Sequence, residues 1–174
     1  MGKNFFLVID LMTRLSILIL TIGIPGAGKT SWVRNYISRH HAAHVVSTDA
    51  IREELTGTRV CDPRQSPNIH EEARRRVKDI LDFPEKYGCS ENVGPEIIID
   101  STNVEVDEWR KYRELGASLM YAKIFDVPPD VAMAHQLQGR DKEHIVPKDV
   151  LELKWRQLQT NKQYIPHFFN LTIN

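Results

Sequence analysis

The chain has 174 residues, a length that suits one domain with its own hydrophobic core. Its composition, 41% hydrophobic and 26% charged, is typical of a globular protein in water. The formal net charge of +0 excludes a global field that would draw the chain to long nucleic acids or to anionic membranes, although a local basic groove is compatible with it.

We expect no targeting signal in the N-terminal residues. The apolar run from Phe5 to Ile9 is too short to cross a bilayer, and no small-residue cleavage pattern follows it. Cys61 and Cys89 stand outside C-x-x-C or metal-binding spacing, which is typical of reduced thiols. These features predict a cytoplasmic protein without a membrane partner, with residues 1–14 as an N-terminal extension and residues 15–174 as a single domain.

A strand, a glycine-rich loop and a helix follow one another at the start of that domain. The apolar, β-branched segment Leu15–Ile22 predicts a buried strand, and apolar residues at helical spacing predict a helix from Lys29 to His40. Between them, Gly23–Thr30 is a complete G-x-x-x-x-G-K-[ST] motif. In this context the motif predicts a loop that binds the phosphates of a nucleoside triphosphate.

Each residue type in the motif suits a polyphosphate. Glycines let backbone N–H groups turn inward, and the helix N-terminus adds a favourable dipole. We expect Lys29 to reach the β- and γ-phosphates as a catalytic group, and the Thr30 hydroxyl to ligate Mg²⁺. The residues predicted to bind the nucleotide here are Gly23, Pro25, Gly26, Ala27, Gly28, Lys29, Thr30 and Ser31.

Strands and helices continue to alternate along the rest of the chain. Short apolar runs predict further strands at Val45–Ser47, Glu96–Asp100 and Ser118–Val127. Helices are predicted at Ala50–Leu55, from Asn68 to Tyr87 with an interruption near Pro84, and at Glu105–Leu115, Asp130–Leu137 and Lys148–Thr160. Turn-forming residues predict a loop at 56–69. The tail, Phe168–Ile173, is compatible either with a docked strand or with packing over the core.

This alternation predicts an α/β fold, an open parallel β-sheet flanked by helices on both faces. Ligands of such sheets bind beyond the carboxyl ends of the strands, where Asp49 and Asp100 each follow a buried strand on the same edge as the phosphate loop. Either acid could instead be a helix N-cap. Because Arg52 follows Asp49 by one helical turn, we favour a functional role for Asp49. For Asp100 we favour a place near Thr30 at the magnesium ion.

The run Arg74-Arg75-Arg76 is a candidate contact for nucleic acid. Its consecutive residues point to several sides of the predicted helix, which is more typical of a solvated face. Contact with nucleic-acid phosphates is the alternative.

Six segments together resemble the phage-type polynucleotide 5′-hydroxyl kinase domain of the P-loop kinase superfamily. They are Leu18–Trp32, Ser47–Arg52, Ile97–Asn103, Ile124–Pro128, Gly139-Arg140 and Val146–Leu151, and the resemblance extends over residues 15–158. The first and last segments are shared with other small P-loop kinases. The Phe-Asp-Val-Pro sequence at 125–128 and the Asp49-x-x-Arg52 spacing favour the polynucleotide kinases.

The resemblance implies a P-loop kinase-like fold with a short lid, here the polar stretch Gln138–His144. It also implies transfer of the γ-phosphoryl group of ATP, with Mg²⁺, to the 5′-hydroxyl end of DNA or RNA, upstream of a ligase. In that family, an aspartate matching Asp49 takes the proton of the attacking hydroxyl, and an arginine matching Arg52 holds the 3′-phosphate beside the terminal nucleotide. A lid arginine matching Arg140 contacts the donor phosphates as a catalytic and nucleotide-binding group. A carboxylate beside the acceptor oxygen and a guanidinium fork beside a phosphate suit these roles.

Two positions depart from the family pattern. Ser101 stands where the family has a functional aspartate, and Gln136 stands where the phage enzyme has a second lid arginine. Fewer positive groups at the donor phosphates leave open a kinase that phosphorylates a small-molecule hydroxyl, such as that of a sugar, nucleoside or antibiotic. A non-catalytic nucleotide-binding protein is the third interpretation, although such a protein would need no proton acceptor. Without a D-x-D-x-[TV] motif, we expect no fused 3′-phosphatase.

Overall fold

The computed structural model describes residues 15–60, 62, 64–90, 93–139 and 145–173. Within these residues, five strands form one sheet: β1 (Ile17–Gly23), β2 (Ala43–Ser47), β3 (Glu96–Asp100), β4 (Leu119–Phe125) and β5 (Leu171–Ile173). Their order across the sheet is β2-β3-β1-β4-β5, and every neighbouring pair is parallel. The predicted open parallel sheet is therefore confirmed.

The helices of the described residues connect these strands. They are α1 (Lys29–Ile37), α2 (Thr48–Thr56), α3 (Ser66–Asp82), α4 (Val106–Arg113), α5 (Pro129–Gly139), α6 (Lys148–Asn161) and α7 (Ile165–Phe168), with 3-10 turns at Pro84–Tyr87 and Lys162–Tyr164. No helix in this part of the chain combines the length and the apolar character that a membrane crossing requires.

The two faces of the sheet are covered unequally. On one face, Ile19 and Ile98 pack against Val33 of α1. On the other, alternate residues of the same strands pack against α3, α4, α6 and α7 in the larger core, which includes Leu18, Leu20, Ile97, Ile99, Ala73, Val77, Trp109, Leu158 and Phe169. The chain moves toward one edge of the sheet from β1 to β2 and toward the other edge in every later connection. Because parallel crossovers are right-handed, connections in opposite directions place their helices on opposite faces of the sheet.

Most predicted boundaries lie within one or two residues of the observed ones, and two misplacements have a physical reason. The helix expected to reach His40 ends at Ile37, because β2 already pairs with β3 from Ala43 onward, opposite Glu96. The loop prediction fails over residues 66–69, because α3 begins at Ser66 with a proline in its first turn. Proline there lacks only an N–H that the helix would not use, so the same turn-forming residues also suit a helix start.

The tail adopts both of the arrangements that the sequence left open. Leu171–Ile173 is an edge strand beside β4. Just before it, Phe169 is buried, and its ring centroid lies 5.4 Å from that of Trp109 in the core. The tail therefore extends the sheet and closes the core at once.

Candidate functional site

The phosphate loop leaves β1 at Gly23 and enters α1 at Lys29. The Lys29 side chain is buried, and its Nζ donates hydrogen bonds to the carbonyl oxygens of Gly23, at 2.9 Å, and Ile24, at 2.8 Å. The backbone N–H of Ala27 donates to the same Ile24 oxygen at 3.2 Å. The Lys29 ammonium and the Ala27 N–H thus meet at one carbonyl oxygen of the loop, and an anion-binding nest would present the same donors to a phosphate.

Gly26 is the point at which α5 packs against this loop. Its φ is 83°, and a Cβ at this position would lie 2.4 Å from the carbonyl oxygen of Ala132. Nδ1 of His135, one turn further along α5, lies 3.0 Å from the carbonyl oxygen of Gly26. Glycine is therefore required here by the backbone conformation and by the close approach of the helix.

Thr30 and Asp100 meet beside the loop. The Thr30 Oγ1 donates a hydrogen bond of 2.9 Å to Oδ2 of Asp100, at the carboxyl end of β3. Burial raises the pKa of Asp100, while the Thr30 hydrogen bond and the positive charge of Lys29 act in the opposite direction. A hydroxyl and a carboxylate oxygen side by side are the kind of hard ligands that Mg²⁺ prefers.

Ser101 belongs to a different contact network. Its hydroxyl accepts a hydrogen bond of 3.0 Å from Thr48 at the start of α2, and its carbonyl oxygen accepts one of 3.1 Å from Thr21. Successive residues at a strand end point to opposite sides. The structure therefore places Asp100, and not Ser101, beside Thr30.

Asp49 lies in the first turn of α2 and does not cap it. The N-cap is Ser47, whose hydroxyl accepts from the N–H of Ala50 at 3.4 Å. The Asp49 side chain is 59% exposed, and its Oδ1 lies 2.5 Å from Nη1 of Arg52, whose side chain is only 8% exposed. The carboxylate is thus open to solvent and is held by a buried guanidinium.

The Arg52 guanidinium has hydrogen-bonding capacity beyond this pair. Its Nε is buried and finds no partner among the described residues. Asp49 also acts on Asp100, because its negative charge adds to the effect of burial in raising the pKa of Asp100. The two carboxylates therefore lie within electrostatic reach of each other at the edge of the sheet that holds the phosphate loop.

Three other predicted features have different outcomes. Arg140 and residues 141–144 of the predicted lid lie outside the described residues, whereas Gln138 and Gly139 belong to α5.

Gln136 is buried, and its Oε1 accepts from the N–H of Val146 at 3.0 Å. The three arginines of the basic run are paired within the chain, with partners Glu108 for Arg74, Glu72 for Arg75, and Glu72 and Glu54 for Arg76.

The contacts of α5 with Gly26 were not predicted from the sequence. His135 lies 109 residues from Gly26, in no recognisable motif, so only the packing of α5 against the loop reveals the pair. The loop glycine itself was the sole signal, because a close approach is one of the reasons for which glycine is used.

The fold and the loop define a nucleotide-binding domain with the architecture of a P-loop kinase. A chain of the solved Pnkp1/Rnl/Hen1 RNA repair complex matches with a TM-score of 0.67 at 20% identity, over 86% of this chain and 46% of that one. A gluconokinase from Sinorhizobium meliloti 1021 matches with a TM-score of 0.57 at 16% identity, over 91% and 82% of the two chains. Shikimate kinase from Acinetobacter baumannii, in complex with shikimate, matches with a TM-score of 0.51 at 17% identity, over 94% and 85%.

These matches establish the fold, and a family model establishes the family. The model is described as an AAA domain and matches residues 18–163, so the chain belongs to that family. The expected resemblance to a P-loop domain of the polynucleotide-kinase type is confirmed in the fold. The chain spans less than half the length of the RNA repair protein that it matches.

Proposed function

We propose that this chain is an ATP-dependent polynucleotide 5′-hydroxyl kinase that uses Mg²⁺ and phosphorylates the 5′ ends of DNA or RNA. One observation carries the proposal: the exposed Asp49 carboxylate, held by the buried Arg52, lies at the sheet edge that also holds the phosphate loop and the Thr30–Asp100 pair. A kinase for a hydroxyl acceptor needs such a base beside the acceptor and opposite the donor phosphates.

The residues at the loop fit a magnesium nucleotide. The close approach of α5 leaves no room for a side chain at Gly26, and the Lys29 ammonium and the Ala27 N–H, which both donate to the Ile24 carbonyl oxygen, would turn to a bound phosphate. Thr30 and Asp100 would hold the magnesium ion, directly or through water. Bound Mg²⁺–ATP supplies the phosphoryl group and neutralises part of its charge. Arg140, outside the described residues, would add a further positive charge.

Asp49 is the residue that acts on the acceptor. Its carboxylate would accept the proton of the attacking 5′-hydroxyl, and the hydrogen bond from Arg52 would hold it in one orientation. In the family that this chain resembles, the matching arginine also holds the phosphate next to the terminal nucleotide, a role for which a planar guanidinium is suited.

One matching structure supports a proposal about the reaction that follows this one. The matching chain belongs to an RNA repair complex of Pnkp1, Rnl and Hen1. A 5′-phosphate is what a ligase needs at one side of a break. We therefore propose that a ligase consumes the product of this kinase.

A small-molecule kinase is the second candidate. Gln136, which carries no charge, stands at the position of the second lid arginine of the phage enzyme and is buried. The gluconokinase and shikimate kinase matches show that the same fold accommodates small acceptors. These observations favour an acceptor that requires fewer positive groups around the phosphates.

A panel of acceptors separates the two candidates. Transfer from γ-labelled ATP would be measured to 5′-hydroxyl DNA and RNA oligonucleotides, gluconate, shikimate and free nucleosides, each with wild type and with Lys29→Ala. The proposal predicts labelled oligonucleotide with wild type alone. Label on a small molecule without label on either oligonucleotide would contradict it and favour the second candidate.

A further inference from the structure

Helix α5 approaches Gly26 of the phosphate loop closely and also forms one hydrogen-bond contact with it. The Ala132 carbonyl oxygen lies 2.4 Å, and Cγ of Gln136 lies 2.9 Å, from the position that a Cβ would occupy on Gly26. Nδ1 of His135 lies 3.0 Å from the Gly26 carbonyl oxygen. The first two distances show how closely the helix packs against the loop, and the third belongs to a directional bond to the loop backbone.

The donor in this bond follows from its partner. A carbonyl oxygen can only accept, so a hydrogen bond at this distance requires that Nδ1 of His135 carry the hydrogen. Both the neutral Nδ1–H tautomer and the imidazolium ion can donate in this way. The bond therefore restrains the Gly26 carbonyl oxygen on the side of the loop that faces α5.

A restraint on the Gly26 carbonyl oxygen also restrains the N–H of Ala27, which belongs to the same peptide. In a trans peptide the carbonyl of one residue and the N–H of the following residue point in opposite directions. The Ala27 N–H is accordingly directed away from α5, and it lies 3.2 Å from the Ile24 oxygen that also accepts from Lys29. His135 thus holds one side of the peptide whose other side contributes a donor to the inside of the loop.

We propose that His135 is a positioning residue for the phosphate loop, and that its Nδ1–H keeps the Gly26–Ala27 peptide with the Ala27 N–H turned to the inside of the loop, where a bound phosphate would replace or share the Ile24 carbonyl oxygen as its acceptor. The inference deepens the proposed function and rests on it, since the ligand is the triphosphate of ATP. The peptide follows a glycine, which can turn its carbonyl either way at little cost. An anchor on that carbonyl removes the unproductive orientation before the ligand arrives, and so strengthens binding.

The first test is the tautomer in the protein without ligand. ¹⁵N NMR of the His135 imidazole distinguishes a protonated Nδ1 from a protonated Nε2. The inference predicts that Nδ1 carries the hydrogen. The spectrum of His135→Leu lacks the His135 signal and so identifies it. A neutral ring with its hydrogen on Nε2 alone would overturn the proposal, because such a ring cannot donate to Gly26.

The second test compares ATP affinity and turnover in wild type, His135→Leu, His135→Asn and His41→Leu. Asn places an amide donor near the position of Nδ1, and His41 is an exposed histidine on the turn between α1 and β2. We expect His135→Leu to raise the ATP Kd and KM about tenfold while kcat changes about twofold or less. His135→Asn should recover most of the affinity, and His41→Leu should match wild type.

Each outcome of the second test bears on a different claim. Wild-type affinity in His135→Leu, or equal weakening in His135→Leu and His135→Asn at unchanged melting temperature, would overturn the positioning role. In that case ATP binding by wild type, abolished in Lys29→Ala, would leave the proposed function standing. Failure of wild type to bind ATP would contradict both.

Discussion

The hydroxyl of Thr30 donates to Oδ2 of Asp100 across 2.9 Å, between residues that lie 70 positions apart in the chain. The bond joins the first turn of α1 to the carboxyl end of β3. Asp100 is only 8% exposed. A buried carboxylate costs folding energy, and such groups concentrate where function uses them.

We expect Asp100→Asn to make the protein more stable and less active. Burial raises the pKa of Asp100, so its favourable contribution to stability is present at low pH and is lost as the pH rises through the folded-state pKa. At pH 7 the substitution should therefore raise Tm by about 2–4 °C, corresponding to about 1 kcal/mol. The gain should shrink near pH ~3, where a wild-type aspartate is protonated.

Thermal melts at the two pH values, combined with phosphoryl-transfer rates, check this prediction. The asparagine oxygen can still accept from Thr30, so the hydrogen bond need not be lost. Transfer should nevertheless fall by about 10²-fold or more, because a charged ligand of the predicted magnesium ion is gone. A lower Tm at pH 7 with unchanged transfer would contradict both halves of the prediction.

Asp49→Asn should lower turnover without lowering ATP affinity. The side chain is 59% exposed and lies on α2, whereas the nucleotide phosphates are predicted to bind at the loop between β1 and α1. Loss of a general base typically costs about 10²–10⁴-fold in rate. Single-turnover transfer and ATP titration on the same sample separate the two effects. Unchanged turnover would remove Asp49 as the base.

Gly26→Ala should weaken both the fold and ATP binding, and Gly116→Ala is its matched control. Both glycines have a positive φ, 83° and 86°, but the added Cβ meets Ala132 only at Gly26 and nothing within 4 Å at Gly116. The control isolates backbone strain of about 1–2 kcal/mol. Gly26→Ala should lose about 1–3 kcal/mol more, because the clash displaces α5 or the loop. Equal stability of the two variants in urea denaturation would contradict the predicted clash.

Glu72→Gln should destabilise the protein at neutral pH and much less in acid. Hydrogen bonds from Arg75 and Arg76 hold the pKa of Glu72 at about 2, below its ordinary value of 4.5. The contribution to stability is thus complete above the ordinary value and is lost as the pH falls through the folded-state value. Because these side chains lie at the surface, we expect about 1 kcal/mol at pH ~6 and little difference at pH ~2.5. An equal loss in urea denaturation at both pH values would show that the arginines do not lower the pKa of Glu72.

The local parts of this site could be predicted from the sequence. The loop from Gly23 to Thr30 is a motif whose strand and helix are continuous with it, so its position follows from a short stretch of chain. Asp49 and Asp100 could be placed at the same edge because parallel crossovers bring every strand end to one side. Spacing alone also paired Asp49 with Arg52, as neighbours on one helical face.

Contacts that depend on tertiary packing could not be predicted in this way. Only the structure shows that Ser47 caps α2, which removes helix capping as an explanation for Asp49. The burial of Arg52 likewise depends on how its helix packs. The arginine run could be a nucleic-acid contact by composition, yet its partners come from its own helix and from two others, as Glu72, Glu54 and Glu108 show. Ion pairs between helices cannot be predicted from the spacing of charged residues along the sequence.

The central claim is that the acceptor is the 5′-hydroxyl end of a polynucleotide. The most direct test is transfer from γ-labelled ATP, with Mg²⁺, to one oligonucleotide prepared with a 5′-hydroxyl and to the same oligonucleotide already 5′-phosphorylated. Lys29→Ala controls for contaminating kinases. We predict label on the 5′-hydroxyl strand alone, absent with Lys29→Ala. No transfer to either strand of DNA or RNA by a protein that binds ATP would contradict the claim.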